Sequence, residues 1–305
     1  MVSGEVIMKD PNIILFMKDV YKEYGPKRVL DNLDFAVEHG EFCTIVGPSG
    51  CGKSTLLRLI LGQERPTSGT ILIDGTPVGG PDVERGIVYQ KYSLFPHLSV
   101  LENVLLGKRL SFGFCEWFKR KSEFREEAML YLDKMRLSES ADKYPHELSG
   151  GMQQRVAIAQ ALVMKPKILM MDEPFGALDP GTREEMQVFL LELWEERKMT
   201  IFFVTHDLEE AIFLGTSIVA LTQFYTDDRG DGPEVNRGAR IRCYYALPKQ
   251  AQSTQVKETA EIGRLIQQIR DEAFEPEHRK HVLEFNLKHP RSFQDLTFEE
   301  TQKHV

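Results

Sequence analysis

Residues 13–47 alternate between apolar and polar positions with a period of two, through "IILFMKDVYKEY" and then "VLDNLDFAVEHGEFCTIVG", with glycines at Gly25 and Gly40. Successive side chains of a strand point to opposite faces, so this stretch predicts strands separated by turns. The period then changes. "KSTLLRLILG" predicts a helix closed by Gly62. "GTILIDGTPV" predicts a short strand turning at Asp74-Gly75, and "GIVYQ" another strand. From about Leu98 to Met164 the pattern is helical, and "EFREEAMLYLDKM" is amphipathic.

Two later runs, "KILMMDEP" (Lys167 to Pro174) and "TIFFVTHD" (Thr200 to Asp207), are nearly continuous in apolar residues and end in acidic or polar ones. Strands of a parallel sheet covered on both faces have this composition, with polar groups emerging at their carboxyl ends. "TREEMQVFLLELWEERK" between them predicts a crossover helix, so the chain reads as an α/β core with an inserted helical segment. Beyond about Phe224 the character shifts. "TDDRGDGPEVNRG" predicts a loop and "ARIRCYYAL" one more strand. In the charged tail, Ile262, Leu265, Ile266, Ile269 and Ala273 form a helical stripe.

Composition narrows the picture. With 305 residues, 42% of them hydrophobic, the chain can build a sizeable core without disulfides. Cys43, Cys51, Cys115 and Cys243 lack metal-ligand or CxxC spacing, which suits a reducing compartment. A net charge of −8 argues against nucleic acid as a partner, so any phosphate binding must be local. The apolar runs stop short of the roughly 20 residues that span a bilayer. The first ten residues lack the basic and apolar segments of a secretion signal, which leads to the expectation of a cytosolic location.

The chemistry sits at the strand ends. "GPSGCGKST" (Gly47, Pro48, Ser49, Gly50, Cys51, Gly52, Lys53, Ser54, Thr55) satisfies GxxxxGK[ST] between an apolar strand and a helix. Its backbone N–H groups can close around phosphates, Lys53 adds a point charge, and the Ser54 hydroxyl can coordinate Mg²⁺. Asp172 ends a buried strand, where a carboxylate is costly without a partner, and magnesium would be that partner. Glu173 follows at once, on the other face if the strand continues, and is placed to orient or deprotonate an attacking water. His206, at the end of "FFVTHD", is a candidate for bonding γ-phosphate oxygens or that water. Gln90, at the end of "GIVYQ", carries an amide suited to Mg²⁺ or water. "LSGGMQQR" (Leu148 to Arg155) sets two glycines beside a serine at a helix start, where N–H groups and the helix dipole favour an anion.

Read in order, this set resembles the ATP-binding cassette family. "GPSGCGKST" resembles its Walker A motif, "YQKYSLFPH" its Q-loop, "LSGGMQQR" its signature, "ILMMDEP" its Walker B, "FGALD" its D-loop, and Thr205-His206 its switch histidine. The resemblance covers about residues 13–225. It implies a P-loop NTPase core with a mixed sheet, an antiparallel β subdomain and an inserted α-helical subdomain at about 91–164. The ATPase domain would span 12–226, followed by a helical C-terminal extension over 227–305.

The resemblance further implies ATP hydrolysis with Mg²⁺ held by Ser54, Gln90 and Asp172, and Tyr24 stacked on adenine. Two such subunits would pack head to tail, as a homodimer, with Ser149, Gly150 and Gly151 of one facing the γ-phosphate on the other and Asp179 at the same interface. Transmembrane permease subunits and, through them, a solute-binding protein would complete the assembly, with the chain peripheral at the cytoplasmic face of the inner membrane. Tyr92, Leu94, Phe95 and Pro96 would form an apolar ledge for the permease. Within the family the chain is most similar to ATPases of nitrate, sulfonate and taurine importers. An exporter or lipid-trafficking ATPase, or a soluble cassette ATPase, remains the alternative. The 227–305 stretch departs from that group and suits permease docking, contact with the second ATPase, or an amphipathic cover.

Overall fold

The computed structural model describes Ile7 and residues 10–90, 94–230, 235–247 and 260–294. The chain divides into two compact units, Met1–Pro81 with Thr200–Val305, and Asp82–Met199.

The first unit opens with β1 (Ile13–Tyr24) and β2 (Lys27–Glu38), an antiparallel pair. β4 (Ser68–Ile73) pairs with the other edge of β1, and β5 (Thr76–Pro77) closes a four-stranded antiparallel sheet in the order β2-β1-β4-β5. The period-two alternation is broken where the register shifts between Met17 and Val20. There Asp19 takes a positive φ of 53° and its N–H donates to the Asp34 carboxylate at 2.8 Å.

The second sheet of this unit is built on β3 (Phe42–Val46), buried along its whole length. β8 (Thr200–Val204) and β9 (Ser217–Thr222) flank it, both parallel to it; β3 and β8 are buried at every residue, on both faces of the sheet, which is why they read as unbroken apolar runs. β9 is a strand the hydrophobic pattern left unassigned, because "SIVALT" follows directly on a short helix. Helix α1 (Lys53–Leu61) leaves the end of β3 and stops at Gly62 in the left-handed conformation. The helix between β8 and β9 spans Leu208–Leu214.

The segment beyond residue 226 enters the same unit. β10 (Arg240–Ala246) pairs antiparallel with β9, making the sheet mixed, and β11 (Asn286–Leu287) runs parallel to β10. The helix Ala260–Ala273 carries the expected stripe. Its Ile269 and Ala273 are buried against Ala220, Cys243 and Tyr245, with Leu265 and Ile266 packed at the margin. This helix caps the hydrophobic cluster of the sheet that β10 has joined.

In the second unit, β6 (Arg85–Val88) and β7 (Ile168–Asp172) form a parallel pair. Between them run α2 (Val100–Ser111), α3 (Phe114–Lys134) and α4 (Gly150–Leu162), and α5 (Pro180–Arg197) follows β7. Ser99 and Glu102 form a reciprocal capping box that starts α2. Trp117, Phe124, Ala128, Tyr131 and Leu132 form the inward face of α3. Cys43, Cys51 and Cys243 are buried and Cys115 is exposed, all as free thiols.

Candidate active site

In the first unit the phosphate-loop sequence turns between β3 and α1. Gly47 must be glycine, because a Cβ there would lie 2.4 Å from the Leu221 carbonyl oxygen of β9. The Lys53 side chain folds back into the loop, donating from Nζ to the carbonyls of Gly47 at 2.7 Å and Pro48 at 3.0 Å, and only 7% of the residue is exposed. A buried ammonium needs such oxygen partners to offset its desolvation. Helix α1 begins at Gly52 with no side-chain cap and no acidic residue in its first turn. Its leading N–H groups are thus not neutralised by the chain's own carboxylates, which favours an outside anion. Ser54 is exposed on that first turn, Thr55 is buried, and burial raises the Cys51 thiol pKa.

Register explains where His206 stands. Ile45 of β3 lies beside Val204 of β8, so the residues following both strands emerge at one carboxyl edge. The strand stops at Val204, two residues before His206. Thr205 N–H donates to Ile45 O, and its hydroxyl donates to Glu210 at 2.6 Å. Asp207 caps the next helix through Glu209 and Glu210 N–H groups. The neighbours are fixed while the imidazole is exposed. Tyr24, expected on adenine, is 43% exposed, with the Lys22 ammonium 4.8 Å from its ring centroid. Its hydroxyl donates to Glu64, which also pairs with Lys22 at 3.0 Å and Arg58 at 3.5 Å. The Tyr24 hydrogen bond and these cations hold the Glu64 carboxyl below its usual range. Sequence reasoning missed Glu64, which fixes the rim on which Tyr24 stands.

The second unit brings Gln90 and Glu173 together. β6 ends at Val88 and β7 at Asp172, with Val88 beside Met171, so the residues after each strand leave the same end of the pair. Gln90 Nε2 donates to Glu173 Oε2 at 2.9 Å. One expectation is corrected here. Glu173 does not continue the strand on its other face; its φ of 48° turns the backbone left-handed, and Gly176 N–H closes the turn on its carbonyl at 3.3 Å. For a non-glycine residue that conformation costs about 1–3 kcal/mol, and such strain concentrates at functional positions. Asp172 is half-buried at the strand end.

"LSGG" starts a helix as expected. Ser149 is the cap of α4, its Oγ accepting from Met152 N–H at 3.3 Å, and the residue is exposed beside Gly150. The Ser149 hydroxyl proton is not used by that bond. A Cβ on Gly151 would come within 3.1 Å of the Leu178 methyl, so the second glycine lets the signature pack against the D-loop. Asp179 caps α5 by accepting from Thr182 N–H at 3.1 Å, and this hydrogen bonding lowers its pKa. On the ledge, Phe95 and Pro96 are exposed and Leu94 is half-buried, whereas Tyr92 lies outside the described residues. Buried Asn103, which sequence reasoning did not single out, shapes this turn. It accepts from Phe95 N–H at 2.7 Å and donates to the carbonyls of Phe95, Leu98 and Ser99 at 3.1, 3.0 and 3.0 Å.

Ser54 in the first unit offers a hydroxyl, and Asp172 and Gln90 in the second a carboxylate and an amide oxygen, each a hard donor of the kind Mg²⁺ takes alongside substrate phosphates. Among the described residues no group of three or more His, Cys, Asp or Glu could hold a metal ion.

Comparison with known proteins agrees with these features. Residues 30–176 match the family described as ABC transporter. The nitrate import ATP-binding protein NrtD of Synechocystis sp. is 49% identical over 198 residues, 65% of this chain and 72% of that protein. The aliphatic sulfonates import ATP-binding protein SsuB of Bacillus anthracis is 39% identical over 255 residues, 82% of this chain and 95% of that protein. A dimeric ATP-binding cassette solved in a post-hydrolysis state with ADP and Pi is similar at a TM-score of 0.64 and 32% identity, over 77% of this chain and all of that one.

Proposed function

Because this chain belongs to the ATP-binding cassette transporter family, we propose that it is the ATP-hydrolysing subunit of an importer for a small anionic solute such as nitrate or a sulfonate. The observation that carries the catalytic part is the Gln90–Glu173 hydrogen bond at 2.9 Å, which holds a carboxylate on a left-handed turn at a strand end. The import direction draws on the two relatives, NrtD and SsuB, both import proteins. An exporter would use the same catalytic residues, and no observation favours it.

In this reading the loop from Gly47 to Thr55 binds the phosphates of ATP through N–H groups and the Lys53 ammonium. Tyr24 supports adenine. Ser54, Asp172 and Gln90 are the oxygen donors for Mg²⁺, which when bound neutralises phosphate charge. Glu173 takes a proton from the attacking water as the water adds to the γ-phosphorus and ADP leaves, and Gln90 holds that carboxylate in position. His206 donates to a γ-phosphate oxygen. Ser149, Gly150 and Gly151 address the γ-phosphate bound by a second copy, with Asp179 at the same interface. Each site then needs two chains, and hydrolysis releases the contact between them.

The family resemblance supports permease subunits and a solute-binding protein as further partners, and a peripheral position at the cytoplasmic face of the membrane. No helix among the described residues is long and apolar enough to cross a membrane.

Purified chain should release phosphate from ATP in a Mg²⁺-dependent manner. Glu173→Gln should bind ATP yet lose on the order of 10²–10⁴-fold in kcat. Turnover close to wild type would remove Glu173 as the base. In cells, loss of the chain should abolish accumulation of one labelled solute among nitrate, sulfonate and taurine; increased retention of a solute would favour export instead.

A further inference from the structure

The turn between α2 and α3 exposes a set of side chains that the ATPase mechanism does not use. Leu110 is 76%, Phe114 79% and Phe118 59% exposed, and the two phenyl rings pack on each other at 4.7 Å. They are not displaced core residues. The inward face of α3 already has its aromatics: Trp117 stacks on Phe124 at 5.7 Å, and Phe112, just before the helix, packs on Phe124 at 4.9 Å. Phe114 and Phe118, four apart, share one exposed side of the first helical turns, next to the buried Trp117.

The rim of this patch is basic in a chain whose net charge is −8. Between residues 108 and 121 the only acidic side chain is Glu116, against Lys108, Arg109, Lys119, Arg120 and Lys121. Lys108 is withdrawn into an ion pair with Glu127 at 3.1 Å, and Arg120 pairs with Glu116 and Glu123 at 3.6 and 2.7 Å. Arg109, Lys119 and Lys121 are exposed and form no ion pair among the described residues. Exposed phenyl and leucyl groups with exposed cations beside them in sequence match an anionic bilayer surface, which takes rings into its acyl boundary and lysines at its headgroups.

We propose that this turn is a membrane-contact site, with Leu110, Phe114 and Phe118 entering the interface of an anionic leaflet and Arg109, Lys119 and Lys121 bound to its phosphate headgroups. The proposal goes beyond the ATPase reading and takes from it only the membrane beside which the chain works. Vesicle binding and ATP hydrolysis are separate readouts, so either can fail without the other.

The test is co-sedimentation of the full chain with phosphatidylcholine vesicles with and without phosphatidylglycerol, at low and high salt. Binding is expected only with the anionic lipid. It should fall at least tenfold in Phe114→Ser/Phe118→Ser and in Lys119→Glu/Lys121→Glu, and salt should weaken it. Lipids brominated on their acyl chains should quench tryptophan emission in the wild type, through Trp117 in the same helix turns, and fail to do so in the serine pair. Should the serine pair lose solution ATPase activity, the charge-reversed pair, which alters only exposed side chains, decides. Absence of vesicle binding, binding indifferent to either pair, or no quenching would overturn the proposal. So would self-association that the serine pair abolishes without any effect on vesicles, which would make the patch an interface between copies.

Discussion

Lys53 shows how one side chain prepares a site. Its ammonium is held by the Gly47 and Pro48 carbonyls, inside the loop between β3 and α1. The motif spacing alone made this residue legible, since GxxxxGK[ST] specifies a backbone shape as much as a side chain. Lys53→Ala removes charge-assisted hydrogen bonds worth about 1.5–3 kcal/mol, so ATP affinity should drop roughly 10- to 150-fold in equilibrium binding. Unchanged affinity would take Lys53 out of the phosphate site. Glu173 was legible as a residue and not as a geometry. Strand alternation placed it opposite Asp172, but a left-handed turn places it instead, and its partner Gln90 lies 83 positions away, beyond any local pattern. Asn103 was invisible for a related reason: nothing in its neighbours marks a buried amide whose partners are carbonyls of a preceding loop.

Elements were legible where period and boundary residues agreed. α1 with its closing Gly62, the strand pair turning at Asp74-Gly75, and the crossover helix Pro180–Arg197 all follow from that agreement. The tail was harder, because its stripe of Ile262, Leu265, Ile266, Ile269 and Ala273 announces a helix without naming its partner. That partner is its own sheet, through β10. At the far edge of the same sheet His289 stacks on Tyr244 at 4.0 Å between ring centroids, and its N–H donates to Tyr244 O at 2.8 Å. Burial holds the imidazole pKa down from 6.5 to about 4. Between those values the unfolded chain takes up a proton that the folded chain refuses. Its contribution to stability is therefore complete above pH 6.5 and lost as pH falls toward 4, by about 2–3 kcal/mol. Buried Glu41, whose pKa burial raises, acts in the opposite direction. Comparing wild type with His289→Phe isolates the imidazole: thermal unfolding should show the wild type losing more stability than the variant between pH 6.5 and 4.5. Parallel losses would show that His289 is not the titrating group.

At the scale of the whole molecule, the two units divide the chemistry between them. One carries the loop with Lys53 and the exposed His206, the other Glu173, Gln90 and a second anion-favouring helix start at Ser149. The helix start at Ser149 follows a 3₁₀ turn rather than a buried strand and carries no lysine, and Gly151 against Leu178 ties it to the D-loop. Under the proposed function, a site completed by a second copy would make association depend on ATP. The most direct measurement is sedimentation equilibrium of Glu173→Gln with Mg-ATP, with ADP, and with Mg-ATP after adding Ser149→Glu. The account predicts a dimer with ATP, a monomer with ADP, and a monomer that still binds ATP once Ser149 is replaced by a carboxylate. A dimer that forms regardless of nucleotide, or one that survives Ser149→Glu, would contradict it.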